Sequence, residues 1–195
     1  MNRFRRQRFA QLFKVMNITD DTTILDVGGL PYDWVELDHP GQVLCVSLSD
    51  IREGQWGEGN ITYSRQDATG LPYPDNSFDL VYSNSLLEHV GRGNQAKVAE
   101  EIRRLGNRYW VQVPHRNFPF EPHYRALFFY QMPLSIRRLI AKYWTSLILK
   151  RGYYLSEVDT IYPLTYREMQ SLFPDAMVLR EKFLGITKSL IAVMK

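Results

Sequence analysis

The sequence predicts an α/β fold: a doubly wound, mostly parallel sheet of seven strands with helices on both faces and an antiparallel hairpin at the C-terminus. Three short segments, VLCV, DLVYS and YWVQV, are nearly continuous hydrophobic runs, which is typical of strands covered on both faces. Strand-like and helix-like segments alternate, and this order favours a parallel sheet with right-handed crossovers. The last two apolar segments are joined through Gly185, and a link this short predicts an antiparallel pair.

The individual elements are predicted from hydrophobic periodicity. Apolar and β-branched runs predict strands over residues 22–27, 42–48, 60–64, 78–83, 108–113, 177–183 and 189–194. Apolar side chains at helical spacing predict one amphipathic helix over residues 3–16 and another over 96–105, which ends at Gly106. Thr165 and Glu168 have the spacing of a capping box, which predicts the start of a further short helix.

Length and composition bound the kind of protein. A chain of 195 residues is long enough for one domain with its own core, so a single domain over residues 1–195 is expected. No apolar run has the length of a membrane span or the form of a signal peptide, and a cytoplasmic location is expected. The net charge of +3 is too small to indicate nucleic-acid binding. The single cysteine, Cys45, lies within VLCV and is expected in the core.

The first chemical signal is a glycine turn after the first strand. Asp26, Gly28 and Gly29 follow the apolar run, and glycines there let the backbone approach a ligand at the carboxyl edge of the sheet. An ordinary strand-to-helix turn would have the same sequence. The second signal is Asp67 after the third strand, where a carboxylate can accept a hydrogen bond from an exocyclic amine. A turn residue or a helix cap is the alternative there.

Further segments follow these two signals in a set order. The phrase LPYPDNSFD precedes the fourth strand, LEHV follows it, VPHRNFPFEPH follows the fifth strand, and GITKSLIA lies in the final hairpin. Together they resemble the class I S-adenosylmethionine-dependent methyltransferases, and the last two resemble a bacterial subgroup of the small-molecule and glycan type. The resemblance implies a Rossmann-like methyltransferase fold, S-adenosylmethionine as the cofactor and methyl transfer as the activity.

The resemblance also implies which residues bind the cofactor. They lie at the ends of the first four strands: Asp26, Gly28, Gly29, Ser47, Asp67, Ala68, Ser83 and Asn84. The first three would contact the methionine part, the fourth stands at the ribose position, the next two would contact the adenine, and the last two would flank the sulfonium.

The sequence departs from the family pattern at two positions. Leu30 stands where a third glycine is usual, and Ser47 stands where an acidic residue usually binds the ribose hydroxyls. A serine forms fewer such hydrogen bonds than a carboxylate, so either the cofactor is bound more weakly or another residue, such as Asp50, takes the ribose role.

The catalytic candidates are histidines. Methyl transfer needs two positioned reactants and, for an oxygen or nitrogen acceptor, a base, for which histidine suits neutral pH. His89, His115 and His123 all follow strands on the carboxyl side of the sheet. Structural roles are the alternative for each of them. Glu88 and His89 resemble a metal-binding pair of some quinone-pathway methyltransferases, but Ser85 replaces the expected acidic partner, so no metal is expected.

The segment over residues 115–154 is longer than a minimal fold requires. It is rich in aromatic residues and is predicted to form a cap that binds the acceptor. Within it, one helical stripe is apolar and the opposite face is basic; the stripe consists of Ile136, Ile140, Tyr143 and Leu147. A helix packed over the active site is one interpretation, and contact with a membrane or a lipid-linked acceptor is the other.

Three functions are compatible with the sequence. The leading one is methyl transfer from S-adenosylmethionine to oxygen or nitrogen of a small-molecule, glycan or lipid-linked acceptor. The second is a methyltransferase-like protein that binds the cofactor without catalysis, which Leu30 and Ser47 would favour. The third is a nucleotide-binding oxidoreductase, which the broken glycine pattern and the missing acid at Ser47 disfavour. Neither the acceptor nor the oligomeric state can be read from the sequence.

Overall fold

Nine strands, in two sheets, organise the computed structural model, which describes residues 3–37, 41–50, 59–121, 124–147, 158 and 160–195. Their bounds are β1 Thr23–Val27, β2 Gln42–Ser47, β3 Ile61–Arg65, β4 Leu80–Asn84, β5 Tyr109–Pro114, β6 Phe120–Glu121, β7 Ala126–Leu127, β8 Met177–Phe183 and β9 Ile186–Met194. Seven of them form the main sheet in the order β3-β2-β1-β4-β5-β9-β8, while β6 and β7 form a separate two-stranded sheet.

The main sheet has the predicted doubly wound topology. Strand β1 pairs in parallel with both β2 and β4, and the parallel pairs β2–β3 and β4–β5 extend the sheet on either side. The direction of winding reverses between β1 and β4, and a crevice opens at the carboxyl ends of strands at such a point. Strand β9 runs antiparallel to β5 and β8. The predicted fold class is therefore confirmed.

Helices cover both faces of this sheet. They are α1 Arg3–Met16, α2 Tyr32–Val35, α3 Gln95–Leu105, α4 Leu134–Leu147 and α5 Tyr166–Leu172, with a short 3-10 turn over Phe129–Gln131. On one face, α1 and α2 pack on a core that includes Phe9, Trp34 and Trp110. On the other face, α3 and α5 pack on a core that includes Ile102 and Phe173. The alternation of side chains along buried strands produces these two separate cores.

Several local predictions are confirmed. The Thr165 hydroxyl accepts from the Glu168 N–H while the Glu168 carboxylate accepts from the Thr165 N–H, so the capping box opens α5. Cys45 is fully buried in the core, and burial raises the pKa of its thiol far above the usual range. None of the described helices is both long and apolar enough to cross a membrane.

The C-terminal hairpin is longer than predicted. Strand β9 begins at Ile186 rather than Ser189, and Phe183 pairs with Ile186 across a two-residue turn. Both turn residues have positive φ, +49° at Leu184 and +82° at Gly185, as hairpin turns that match the strand twist require. This part of the strand was not predicted because Thr187 and Lys188 are polar. Hydrophobic periodicity detects strands by their apolar residues, whereas the backbone pairing here is set by the tight turn.

Helix α4 packs through a face that only partly overlaps the predicted stripe. Of the stripe residues, Ile136 and Tyr143 are exposed and Ile140 is partly buried, whereas Ala141 is fully buried with Tyr124 and Phe129, whose rings stack at 4.3 Å. A small side chain at the contact lets the helix approach those rings closely, so packing favours the Ala141 face over the bulkier apolar stripe.

Candidate functional site

A cavity of about 260 Å³ lies at the carboxyl ends of β1 and β4, where the winding of the sheet reverses. We call it the glycine-loop cavity. Its lining residues come from α1, the turn after β1, the start of α2 and the end of β4: Phe9, Asp26, Gly28, Gly29, Leu30, Asp33, Tyr82, Asn84 and Ser85.

Two glycines shape the turn that lines this cavity. Gly28 has φ +84°, and its N–H donates to the Val46 carbonyl at 2.7 Å. A Cβ at Gly28 would lie 2.8 Å from Leu86 Cδ1, and a Cβ at Gly29 would overlap the Asp26 carboxylate. The backbone conformation and the close approach of Asp26 therefore both require glycine.

The Asp26 carboxylate is held by a hydrogen bond from an aromatic cluster. This carboxylate is 2% exposed and accepts a hydrogen bond from Trp34 Nε1 at 2.6 Å. The Trp34 ring contacts Phe9 and Tyr82 edge-on, at centroid distances of 5.0 and 5.5 Å. The cavity thus combines two carboxylates, Asp26 and Asp33, with the rings of Phe9 and Tyr82. Carboxylates and aromatic rings both attract cations, so this arrangement suits a positively charged ligand.

The two predicted residues at the end of β4 differ in their surroundings. Ser83 is fully buried, and its hydroxyl donates to the Val27 carbonyl at 2.9 Å, which joins β4 to β1 just before the glycine turn. Asn84 lines the glycine-loop cavity, and its Oδ1 lies 3.4 Å from Arg8 Nη1. Arg8 Nε also contacts Glu181 Oε1 at 3.1 Å. The N-terminal helix is thereby linked to the end of β4.

The other predicted cofactor residues lie further along the same edge. Ser47 Oγ is 3.1 Å from the Tyr63 hydroxyl, and Ala68 packs against the core. Asp67 is exposed and accepts from the N–H and the hydroxyl of Thr69, both at 2.9 Å, and these bonds hold the pKa of its carboxyl below the usual value. Ser47, Asp67 and Ala68 do not belong to the described lining of the glycine-loop cavity.

A second, larger cavity of about 520 Å³ adjoins the first and shares Ser85 with it. We call it the large cavity. Ser85 has φ +58°, an uncommon conformation for a residue with a side chain and one that often marks a functional site. Most of the lining surface is apolar, although several of the residues that contribute to it are polar or charged. The lining residues are Arg8, Ser85, Glu88, Gln112, Pro114, His115, Phe118, Phe120, Glu121, Tyr130, Pro163, Phe183, Lys188 and Ser189.

His115 is the predicted histidine that lines the large cavity. The backbone N–H of His115 donates to the Lys188 carbonyl at 2.9 Å, and this bond holds the chain just after β5 against β9. Burial lowers the pKa of the imidazole, and the positive charges of Arg180 and Arg116 lower it further, against the opposing hydrogen bond with the Thr187 backbone. The ring is therefore neutral at pH 7 and can accept a proton.

The other two predicted histidines do not belong to the described lining of either cavity. His89 is exposed, with Nε2 at 3.9 Å from Glu88 Oε1, and it is absent from the described lining of both cavities. His123 lies outside the described residues. In the part of the chain that the structure describes, no group of three or more His, Cys, Asp or Glu side chains could hold a metal ion.

Sequence reasoning missed several polar residues of the large cavity. Glu88 and Glu121 are buried carboxylates, 1% and 5% exposed, and Arg8 reaches the cavity from α1. Burial first, and then the Glu121 carboxylate, raise the pKa of the Tyr130 hydroxyl above its usual range, so it is neutral. The dense aromatic residues between 118 and 130 indicated a ligand surface, but no local pattern showed which acids would be buried beneath them.

A family model described as a methyltransferase domain matches residues 28–108. The match spans the glycine turn, strands β2, β3 and β4, and helix α3. The match covers somewhat less than half of the chain, and it supports the class I S-adenosylmethionine-dependent methyltransferase that the sequence resemblance implies. A search of curated proteins finds no match to this sequence.

Solved structures resemble this methyltransferase in fold. The 1,6-didemethyltoxoflavin-N1-methyltransferase of Burkholderia thailandensis, with bound 1,6-didemethyltoxoflavin and S-adenosylhomocysteine, has a TM-score of 0.62 at 15% identity, over 97% of this chain and 76% of that one. Magnesium protoporphyrin IX methyltransferase of Synechocystis, with bound S-adenosylhomocysteine, has a TM-score of 0.62 at 13% identity, over 98% and 82%. A Rhodobacter sphaeroides protein provisionally named a zinc-dependent alcohol dehydrogenase reaches 0.63 at 12% identity, over 95% and 87%. At these identities the likeness concerns the fold alone.

The glycine-loop cavity fits the cofactor of this family. S-adenosylmethionine carries an ammonium group and a sulfonium, and the cavity offers two carboxylates and two aromatic rings to positive charge. Its volume of about 260 Å³ suits the methionine part, and the edge continues toward Ser47 and Asp67 for a nucleoside part. The carboxylates and aromatic rings of the glycine-loop cavity therefore fit the positively charged groups of this cofactor.

Proposed function

We propose that this methyltransferase transfers the methyl group of S-adenosylmethionine to an oxygen or nitrogen atom of a small-molecule, glycan or lipid-linked acceptor bound in the large cavity. One observation carries the proposal: the two cavities meet at Ser85, directly after β4. A cofactor in the first cavity and an acceptor in the second would then be adjacent, as an in-line displacement requires.

The cofactor side of the proposal assigns one role to each strand end. Asp26, together with the Gly28–Gly29 turn, holds the methionine part, and Asn84 lies beside the sulfonium. Ser83 supports this position through its bond to the Val27 carbonyl. The nucleoside part extends toward Ser47, Asp67 and Ala68 at the ends of β2 and β3. When bound, the cofactor supplies an electrophilic methyl group on a positively charged sulfur.

The acceptor side assigns proton removal to His115. The lowered pKa keeps the imidazole neutral. During methyl transfer the imidazole would accept the proton that leaves the acceptor atom, and it would gain the positive charge that the sulfonium gives up when its bond to the methyl carbon breaks. His89 stays a candidate that lines neither cavity in the described part of the chain, and His123 stays one that lies outside it.

The segment over residues 115–154 is proposed as the cap over the acceptor. Phe118, Phe120 and Tyr130 contribute aromatic surface to the large cavity, which would exclude water from the transfer. Because most of the lining surface is apolar while several polar side chains reach it, a small-molecule acceptor with both an apolar part and polar groups is favoured. The toxoflavin and porphyrin enzymes that share the fold are named for small-molecule acceptors of this kind.

Membrane contact is the second candidate for this segment. On α4, Ile136, Leu139 and Tyr143 are exposed beside Arg138 and Lys142, and an apolar surface next to cations suits the boundary of an anionic membrane. Flotation with anionic vesicles tests it. Binding that is released at high salt would support a lipid-linked acceptor, and no flotation would favour a soluble one.

The cofactor test is calorimetry with S-adenosylhomocysteine, followed by mass spectrometry of co-purified ligands. We expect a dissociation constant in the micromolar range, about −7 to −8 kcal/mol. No heat and no thermal shift at millimolar cofactor, on folded protein, would contradict the proposal. Binding without any turnover on the co-purified acceptor would favour the non-catalytic binding protein instead.

A further inference from the structure

A third cavity, of about 180 Å³, lies beside the large one and is lined by three arginines. Arg92 comes from the loop between β4 and α3, Arg116 follows β5, and Arg137 lies on α4. We call it the arginine cavity. It shares Tyr130 and Pro163 with the large cavity, so a ligand in one can extend into the other.

One of the three arginines is fixed in place by the protein. Arg116 Nη2 donates to the Glu168 carboxylate at 2.8 Å, and its Nε donates to the Pro163 carbonyl at 2.9 Å. Burial tends to raise the pKa of Glu168, but hydrogen bonds from Thr165 and Arg116 hold it below the usual value. Glu168 is therefore ionised and balances the charge of Arg116.

The other two arginines carry charge that no acidic side chain among the described residues neutralises. Arg137 Nε is buried without a hydrogen-bond partner among the residues that the structure describes. Neither Arg92 nor Arg137 forms an ion pair with a described residue, and no acidic side chain belongs to the described lining of the cavity. A buried guanidinium N–H without a partner is costly, and an oxyanion would satisfy it.

The wall of the arginine cavity is held rigidly. The Tyr162 N–H donates to the Glu88 carbonyl at 2.7 Å, and Gln95 Nε2, on α3, donates to the carbonyls of Tyr162 and Leu87 at 2.8 and 3.0 Å. These bonds connect the 161–164 segment to the end of β4, beside the point where the two larger cavities meet. A site preorganised in this way loses little entropy when it binds a ligand.

We infer that the arginine cavity binds a phosphoryl group of the methyl acceptor. A phosphate monoester carries close to two negative charges at neutral pH, which matches the two uncompensated guanidinium groups. Their planar arrays of N–H donors suit phosphate oxygens. The inference rests on the proposed function, because the remainder of the acceptor occupies the large cavity, with the reacting atom toward Ser85.

Calorimetry with phosphate probes tests the inference directly. On protein saturated with S-adenosylhomocysteine, glucose 1-phosphate and inorganic phosphate should bind, and glucose should bind at least about 10-fold more weakly than its phosphate. Arg137→Gln should weaken phosphate binding by about 10-fold or more. Arg138→Gln removes a neighbouring charge that lies outside the described lining, and it should change binding by less than about 2-fold.

Three results would overturn the assignment. They are phosphate binding that is unchanged in Arg137→Gln, equal binding of succinate and phosphate, and no binding of any phosphate probe at about 10 mM, far above a specific affinity. Arg92→Gln provides a second variant if Arg137→Gln fails to fold, and a loss of phosphate binding there supports the site equally. Phosphate binding can also be measured without S-adenosylhomocysteine, so a failure of cofactor binding is distinguishable from a failure of this site.

Vesicles separate the two sources of a phosphoryl group. Phosphatidylcholine vesicles that contain phosphatidic acid should recruit the wild-type protein, and not Arg137→Gln, if the group belongs to a lipid, whereas phosphatidylcholine alone should recruit neither. Binding of glucose 1-phosphate without recruitment to those vesicles would identify a soluble phosphorylated acceptor. Either outcome supports the arginine cavity. Equal recruitment of both proteins, without binding of soluble phosphate, would assign the anion binding to a different surface.

Discussion

The glycine-loop cavity and the large cavity are neighbours, yet the chain builds them in different ways. The first is shaped by backbone: a turn in which neither Gly28 nor Gly29 has space for a side chain. The second is shaped by side chains from α1, β5, the 115–130 segment and the C-terminal hairpin. Substitutions in the first therefore act through loop geometry and cofactor binding, whereas substitutions in the second act through the acceptor and its proton.

The two cavities also differ in how they handle charge. Asp26 and Asp33 give the glycine-loop cavity two carboxylates beside aromatic rings, which suits a cation. The large cavity places Glu88 and Glu121 under a mostly apolar lining, with His115 held neutral. The two sides of Ser85 thus suit different ligands: a cation on one side, and on the other the acceptor with an exchangeable proton that we propose.

The largest expected effect is at the glycine turn. Gly29→Ala should weaken S-adenosylhomocysteine binding by about 100-fold or more, because the new Cβ would overlap the Asp26 carboxylate and displace the loop. Gly28→Val should have a similar effect, since valine would adopt a positive φ and its side chain would press on Leu86. Calorimetry on each variant measures the loss.

A matched control separates loop geometry from general instability. Gly70 has open space around its Cβ position and no positive φ, so Gly70→Ala should keep cofactor affinity within about 2-fold. Unfolding by denaturant should be measured on all three variants. Normal cofactor binding by Gly29→Ala would show that the loop does not approach the ligand as described.

The second prediction concerns the large cavity. His115→Ala should lower turnover by about 100-fold while cofactor affinity stays nearly unchanged, because the lost group removes the acceptor proton and does not contact the glycine turn. Turnover is measured as S-adenosylhomocysteine formed with the acceptor recovered by co-purification. His89→Ala is the companion variant, with an expected change below about 2-fold, since His89 is exposed. The opposite pattern would assign the base to His89.

The pH dependence gives an independent test of His115. Burial, Arg180 and Arg116 keep the pKa of this imidazole below the usual value of about 6.5, so the base stays neutral as the pH falls past 6.5. The acid limb of kcat/KM should therefore lie below pH 6.5, with the rate lost as the pH falls through the lowered pKa. The same shift affects stability. As the pH falls, the unfolded chain protonates His115 at a higher pH than the folded protein does, so the free energy of unfolding decreases below about pH 6.5. Arg180→Gln should move the acid limb to higher pH, and an unmoved limb would separate it from His115.

The third prediction concerns Asp67, whose role is tested by two variants. Asp67→Ala should weaken cofactor binding by roughly 1 to 3 kcal/mol, the cost of leaving a hydrogen-bonding partner unpaired. Because Asp67 also accepts two bonds from Thr69, alanine removes the turn as well. Asp67→Asn can still accept from Thr69 but presents an amide where the carboxylate was. Normal binding by Asn together with weak binding by Ala would identify Asp67 as a turn residue only.

The cofactor side was more predictable from the sequence than the acceptor side. Periodicity locates the strands to within a few residues, and the carboxyl ends of parallel strands meet at one edge, so the sequence alone places Asp26, Gly28 and Asn84 together. The glycine turn is a local property of consecutive residues. For that reason its sequence is sufficient to indicate it.

The acceptor side depends on long-range packing. Glu88, Glu121 and Arg8 line one cavity although they lie far apart in the sequence, and no short motif encodes that arrangement. The packed face of α4 was predicted only in part for the same reason: Ile140 of the predicted stripe packs as expected, but Ala141, outside the stripe, is the residue buried with the stacked rings of Tyr124 and Phe129. Tertiary contacts of this kind outweigh the local apolar stripe.

The smallest expected effect is at the ribose position. Ser47 ends β2, and its hydroxyl lies 3.1 Å from the Tyr63 hydroxyl, so the site already holds two groups that can bind a diol. If Ser47 occupies the ribose position, Ser47→Asp should tighten cofactor binding by about 2- to 10-fold, since a carboxylate can accept from both ribose hydroxyls. Ser49→Asp adds the same charge two residues further along and should leave affinity unchanged.

Asp50→Ala is the competing test. Asp50 lies 3.8 Å from Arg65 at the surface. A loss of cofactor binding in Asp50→Ala, with no gain from Ser47→Asp, would assign the ribose contact to Asp50. A gain from Ser47→Asp alone would instead indicate that the serine itself limits cofactor affinity, and that the glycine-loop cavity is otherwise complete.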